Sequence, residues 1–301
     1  NLFNKIQYTL NSGEIFFGST LKNFEKNFLN FNKSKYGLSV KNGTDALILA
    51  LICAGVKQGD EVITVSFSAI PTVSAIVSVG AIPKFVDVND NYLINENEIK
   101  KKISVKTKAI IPVHLFGQPC NLKKILKVAK EHNLKVIEDC AQSFGAKYSS
   151  KFVGNFGDFG CFSFYPTKIL GAYGDGGFIT CKDKGNLQKL RQLRFYGLEI
   201  TDKLHPKYKN YYSNIHGINS RLDNIQATIL NLKLKYIKSW IKKRIIYAKI
   251  YNKKILNKKK VNKNHVYHLY VLRTKLRNKL IKFLKQRNIS LGTHYENPIH
   301  K

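Results

Sequence analysis

Apolar runs alternate with helical patterns along most of this chain. The segments "EVITV" (61–65), "IPKFVDV" (82–88), "KAIIPVHLF" (108–116), "KVIEDCA" (135–141), "GCFSFY" (160–165) and "GGFITC" (176–181) read as strands. Their nearly continuous apolar character suits strands covered on both faces. Between them lie a buried helix over 71–80, the helical "INENEIKKKI" (94–103) and the amphipathic "NLKKILKVAKEHN" (121–133). Such alternation predicts an α/β fold, a mainly parallel sheet sandwiched by helices. After residue 183 the pattern turns helical: "NLQKLRQLRFYG" (186–197), a polar loop with tyrosines, then a long helix from Asp223 through Trp240 into the 250s. The end of the chain, "HVYHLYVLR", "RNKLIKFLKQRN" and "ISLGTHY", reads β-α-β. The expected division is a large domain over 1–230 and a smaller α/β C-terminal domain over 231–301, with the boundary on the long helix. The first residues are free to pack with the small domain.

Residues 62–83 carry no charge, a length that would suit a membrane span. Pro71 in mid-run, the recurring serines and the β-branched start argue instead for a buried strand, a turn and a helix start. The five cysteines, at 53, 120, 140, 161 and 181, show no CxxC and no metal-like spacing. They read as reduced, buried thiols of a cytoplasmic protein. The 301 residues carry a formal charge of +32, spread along the chain and not gathered in one tail. Many solvated lysine faces account for that; attraction to phosphate esters, nucleic acid or a membrane surface is the functional alternative. Methionine is absent, which leads to the expectation that the sequence is incomplete and the small domain with it.

Ligands of open parallel sheets sit beyond the carboxyl ends of the strands. In "KNGTDALILAL", Gly43 and Thr44 open a helix whose free amides suit a phosphate, or whose start is simply capped by Asn42 or Thr44. "KVIEDCAQSFGA" sets Glu138 and Asp139 at a strand end, where a carboxylate needs a cationic or hydrogen-bonding partner such as a protonated ring nitrogen or a metal. Gln142 could reach the same ligand. "GCFSFYPTK" puts Ser163 five residues before Lys168, and the glycines of "GAYGDGG" come after the lysine. That order excludes a Walker loop, in which glycines come first. A partly desolvated lysine among aromatics condenses with an aldehyde. Pyridoxal phosphate needs that lysine, a phosphate site, a carboxylate for its ring nitrogen and an aromatic face. Lys168, then Gly43, Thr44 and Ser163, then Asp139, then Phe67 supply them.

With these blocks in this order, and with "LRFYG", "GINSRLDNIQATIL" and "THYENPIH" further on, the chain resembles the DegT/DnrJ/StrS sugar aminotransferases over essentially its whole length. Those enzymes have the pyridoxal-phosphate transferase type I fold. The resemblance implies that Lys168 holds the cofactor and then shuttles a proton, and that Asp139 pairs with the ring nitrogen. It implies that Gln142 bonds the phenolic oxygen, that Phe67 stacks on the ring, and that Gly43, Thr44 and Ser163 bind the phosphate. Asn219 is implied to reach the cofactor phosphate of a neighbouring subunit, which makes a homodimer with shared sites. Tyr173, His294 and Tyr295 are implied to face substrate. The implied reaction moves an amino group from glutamate to a nucleotide-linked keto sugar in the cytoplasm, with no nucleic-acid and no membrane partner. The block "HLFGQPCNLKK" is more similar to members acting at a 3-keto group, a dTDP-3-keto-6-deoxyhexose destined for a cell-surface glycan. A 4-keto substrate is the alternative within the family. A basic protein that binds nucleic acid or anionic surfaces on a degenerate enzyme fold is the alternative of another class.

Overall fold

A computed structural model describes residues 2–200, 208–213, 215–256 and 262–301. The chain opens with two helices, α1 (Leu2–Asn11) and α2 (Gly18–Asn32), and a strand, β1 (Tyr36–Val40). Then come α3 (Gly43–Cys53), β2 (Glu61–Val65), α4 (Ile70–Ser78), β3 (Ile82–Val86), β4 (Thr107–Ile110), α5 (Leu122–Glu131) and β5 (Lys135–Asp139). A two-residue hairpin, β6 (Lys147–Tyr148) with β7 (Lys151–Phe152), precedes β8 (Phe159–Ser163) and β9 (Gly177–Cys181). The rest comprises α6 (Lys184–Leu193), the antiparallel pair β10 (Leu198–Ile200) and β11 (Tyr208–Ser213), α7 (Asn224–Leu234), α8 (Ile237–Ile255) and α9 (Arg277–Lys285).

Seven strands form one sheet in the order β1-β9-β8-β5-β4-β2-β3. The steps from β3 through β2, β4 and β5 to β8 are parallel. β9 runs antiparallel to both β8 and β1. Neighbours in sequence take opposite faces, as the pleat demands. Val62, Ala109, Ile137 and Ile179 join α3, α4 and α6 on one side. Ile63, Ile110 and Val136 meet α5 on the other, where Phe162 and Phe178 pack on α2 and α7. The mainly parallel sheet covered on both faces is therefore present, and the uncharged 62–83 run is its buried strand, turn and helix. Among the described residues, no helix is long and apolar enough to cross a membrane.

Four expectations about elements are corrected. The single long helix is two: α7 closes on short bonds from the Lys235 and Tyr236 amides to Leu232 O and Lys233 O, and α8 starts afresh. The halves serve different neighbours. Thr228 of α7 bonds Thr9, whereas Arg244 of α8 reaches the carbonyls of Tyr267 and His268. The terminal β-α-β pattern yields α9 alone among the described residues. Its first apolar run is a strap, with the Val266 and Leu269 amides on Gly117 O and Phe116 O, not a ladder. "INENEIKKKI" forms one 3₁₀ turn, Ile99–Lys102, because Asn95 engages the amide of Asn97 with its side chain and that of Glu98 with its carbonyl. The strand over 108–116 stops at Ile110, short of Pro112. Residue 230, the expected domain boundary, lies inside α7, and Leu230 is fully buried in the core that α2 shares.

Candidate active site

Because β9 reverses twice, β1 runs parallel to β8, so the carboxyl ends of β1, β2, β4, β5 and β8 all open on one edge of the sheet. The segments leaving these strands converge there. β1 delivers Asn42, Gly43 and Thr44, β2 delivers Ser68, Ala69, Pro71 and Thr72, and β4 delivers Val113. β5 ends on Asp139, with Gln142 three residues on, and β8 delivers Ser163 and, one turn later, Lys168. These residues line a cavity of about 400 Å³.

Asp139 is 5% exposed and held at four points. Its backbone pairs with Pro112 O and the His114 amide. Its carboxylate accepts from Thr72 Oγ1 at 2.8 Å and from the Ala141 amide at 3.1 Å. Half-buried Lys168 ends a turn closed by its own amide on Tyr165 O. Burial lowers its pKa below the ordinary lysine value, against the pull of Asp139. The mouth of this loop is tied twice, by Phe164 N to Gly176 O and by Ala172 N to Phe164 O. Gly171 sits against Pro166 O with no room for a Cβ.

At the start of α3, Asn42 caps the helix by accepting the Asp45 amide at 2.8 Å, so the cap foreseen as an alternative is present. The N–H groups of Gly43 and Thr44, in the same first turn, have no helical acceptor. A Cβ on Gly43 would fall 2.6 Å from Ser163 Cβ; the bare backbone keeps that end of the cavity open. Helix amides, two hydroxyls, a depressed lysine and an oriented carboxylate are the donor set that a phosphorylated pyridinium aldehyde requires, and the residues fit that cofactor.

Several predicted residues lie elsewhere. Phe67 is not on the cavity wall, where Ala69 and Pro71 stand; its ring stacks on Tyr92 (5.5 Å) and meets Tyr295 edge-on (5.8 Å). His294 and Tyr295 line the pocket next door with Phe67. Tyr173 is exposed on the loop beyond Lys168, its amide donated to Gln226 and its ring under Lys233 Nζ at 3.9 Å. Asn219 is exposed and outside the cavity, bridged to Phe195. Sequence reasoning missed Thr72, Gln226 and Lys233. A threonine two residues into a helix carries no sequence signal for a carboxylate sixty-seven positions away.

The one group of metal-ligand type among the described residues is His114, Glu138 and Cys140, all buried. Its lone pairs are already used. His114 Nδ1 accepts the Cys120 amide at 3.0 Å, so the ring proton sits on Nε2 and is donated to Glu138 Oε2 at 3.0 Å. Glu138 also accepts the amides of Gly154, Phe156 and Gly157. Burial pushes its carboxyl pKa up, but His114 and these amides hold it below the usual value. All five cysteines are buried and free, and burial raises the Cys140 thiol to about 12.

Fold and site together define a pyridoxal-phosphate aminotransferase of the type I fold. A dTDP-3-amino-3,6-dideoxy-α-D-galactopyranose transaminase of Aneurinibacillus thermoaerophilus is 42% identical over 97% of this chain and 80% of its own. A dTDP-3-amino-3,4,6-trideoxy-α-D-glucose transaminase of Micromonospora megalomicea is 37% identical over the whole chain and 81% of its own. The crystal structure of S. venezuelae DesV with a ketimine intermediate superposes with a TM-score of 0.91 at 33% identity, over 99% of this chain and 80% of that one. The family description of the DegT/DnrJ/EryC1/StrS aminotransferases matches residues 1–301, and the chain belongs to that family.

Proposed function

We propose that this aminotransferase moves an amino group from glutamate to a nucleotide-linked 3-keto sugar, a dTDP-3-keto-6-deoxyhexose. The observation that carries the reading is the convergence of Lys168, Asp139 and the Gly43–Thr44–Ser163 end on one cavity. Two of the similar enzymes, those of A. thermoaerophilus and M. megalomicea, are named for a dTDP-linked 3-amino sugar, which favours position 3. When bound, the cofactor supplies an electron sink for the carbon that gains or loses the amino group.

The chain's own residues do the rest. Lys168 would hold the cofactor covalently and, once displaced, would move a proton to or from the reacting carbon; its lowered pKa leaves the amine uncharged more of the time. Asp139, aimed by Thr72, would face the ring nitrogen. The first amides of α3 and the Ser163 hydroxyl would hold the phosphate, and the second Nε2 hydrogen of Gln142 would meet the phenolic oxygen. Asn219, exposed beyond the cavity, would serve a second copy of the chain in a homodimer.

The test is amine transfer from glutamate, with purified protein, to a panel of nucleotide-linked 3-keto and 4-keto sugars. Formation of a 3-amino sugar is expected. Turnover of 4-keto sugars alone would move the assignment to the other carbon, and no turnover on any of them would sink the substrate claim.

A further inference from the structure

The hydroxyl of Tyr295 has a fixed hydrogen-bond polarity, and Gln142 sets it. The Phe116 amide donates to Gln142 Oε1 at 2.7 Å, so the carbonyl end of that carboxamide is committed. A flipped carboxamide would turn its NH₂ onto the Phe116 N–H, donor against donor. Nε2 therefore faces Tyr295 Oη, 2.9 Å away, and has only hydrogens to offer. The phenol oxygen accepts, and its own proton is left over. No acceptor for that proton stands among the described residues. Burial raises the phenol pKa, Gln142 lowers it less, and the charge of Asp139 raises it again, so the group keeps its proton through the neutral range.

Its position makes that proton useful. Gln142 lines the cavity of Lys168 and Asp139. Tyr295 lines the neighbouring pocket of about 440 Å³ with Phe67, Tyr92 and His294. The bond between them is the seam of the two spaces. The edge-on contact with Phe67 fixes the phenol ring. A ligand with one end at Lys168 and its bulk in the second pocket passes over this hydroxyl.

We propose that Tyr295 is a donor to the carbonyl oxygen of the acceptor substrate. The inference rests on the keto-sugar reading of the site. A carbonyl oxygen can only accept, which matches a hydroxyl whose oxygen is engaged and whose proton is free. When an amine nitrogen adds to the carbonyl carbon, a C–N bond forms and the C=O π bond breaks. The π pair moves onto oxygen, and the Tyr295 O–H, 2.9 Å from its own brace, meets the growing negative charge without giving up its proton.

Tyr295→Phe keeps the ring on Phe67 and removes the donor. The two half-reactions of the holoenzyme are followed separately by the absorbance of bound cofactor. The half with keto sugar is expected to slow about 100-fold; the half with glutamate, which forms a C=O bond by the reverse step, is expected to slow as well. Binding supplies a second readout, with holoenzyme whose lysine link has been reduced by borohydride. There Y295F is expected to weaken the keto sugar about 10-fold and leave the corresponding deoxy sugar, which lacks the carbonyl, unaffected. Equal losses of binding on both sugars, or an unchanged rate in the keto-sugar half, would overturn the proposal. Should Y295F prove unstable, 3-fluorotyrosine at 295 retains the donor with a lower pKa, and an unchanged acceptor-half pH profile would count against it equally. A wild-type enzyme that reacts with glutamate but with no keto sugar would instead remove the substrate reading, and this inference with it.

Discussion

Asp139 is aimed before any ligand arrives. Thr72 donates to one oxygen, Ala141 to the other, and Pro112 and His114 grip the backbone. Thr72 is 1% exposed, so its hydroxyl has no water to turn to. Thr72→Val keeps the shape and removes the donor. It is expected to cost about 1.5–3 kcal/mol in urea unfolding of the cofactor-free protein, the worth of a bond to a charged group, and to weaken cofactor binding. Unchanged stability and affinity would mean that the carboxylate does not need Thr72. At this scale three residues of the cavity wall were readable, because Lys168, Asp139 and Gly43 each break a local pattern: a lysine among aromatics, an acid at an apolar strand end, a glycine at a helix start. Their orienting partners were not. Thr72 is an ordinary polar residue until the fold brings it to Asp139, and the ring of Phe67, read as a stacking face for the cofactor, turns toward Tyr92 and Tyr295.

Helix α7 works on the loop behind the lysine. Asp223 caps it by accepting the Gln226 amide at 2.8 Å. Gln226 then accepts the Tyr173 amide at 2.9 Å, and Lys233 donates to Gly171 O at 2.7 Å. Asp223→Ala is expected to cost about 1 kcal/mol and to raise amide hydrogen exchange at Tyr173. Exchange confined to the first turn of α7 would show that the loop stands without the helix. The strands and the amphipathic α5 were legible because period and burial agree in them. What failed did so for want of a partner. The final apolar runs have β-branched and aromatic residues but no strand beside them. The α7–α8 break falls between Leu234 and Ile237, both buried, where no proline or glycine marks it.

Across the whole molecule, two buried histidines tie stability to pH. Burial lowers the His265 pKa from 6.5 to about 4. Burial, then the charges of Lys168 and Arg244, lowers that of His268 to about 3. Above pH 6.5 both rings are neutral, folded or unfolded. Below it the unfolded rings take up protons that the folded ones refuse. Stability therefore falls with pH, by about 1.4 kcal/mol per pH unit for each ring, until the folded values are reached. Denaturant titrations between pH 7 and 4.5 should show the slope, and H265N/H268N should flatten it; an identical slope in the double variant would remove these rings as its source. The lysine and its carboxylate stand apart from that sensitivity in one respect. Asp139 lies in register with Cys161 of the adjacent strand, and the lysine loop is knotted at its neck to the same strand and the next. They ride on one rigid chassis. His294 and Tyr295, on the wall of the neighbouring pocket, belong to the chain's last stretch, which a few bonds tie down: the Gln142 bond, the strap on Phe116 and Gly117, and the Ile299 amide on Ser66 O. Any change in that stretch would reshape the neighbouring pocket and leave the distance between lysine and carboxylate as it is.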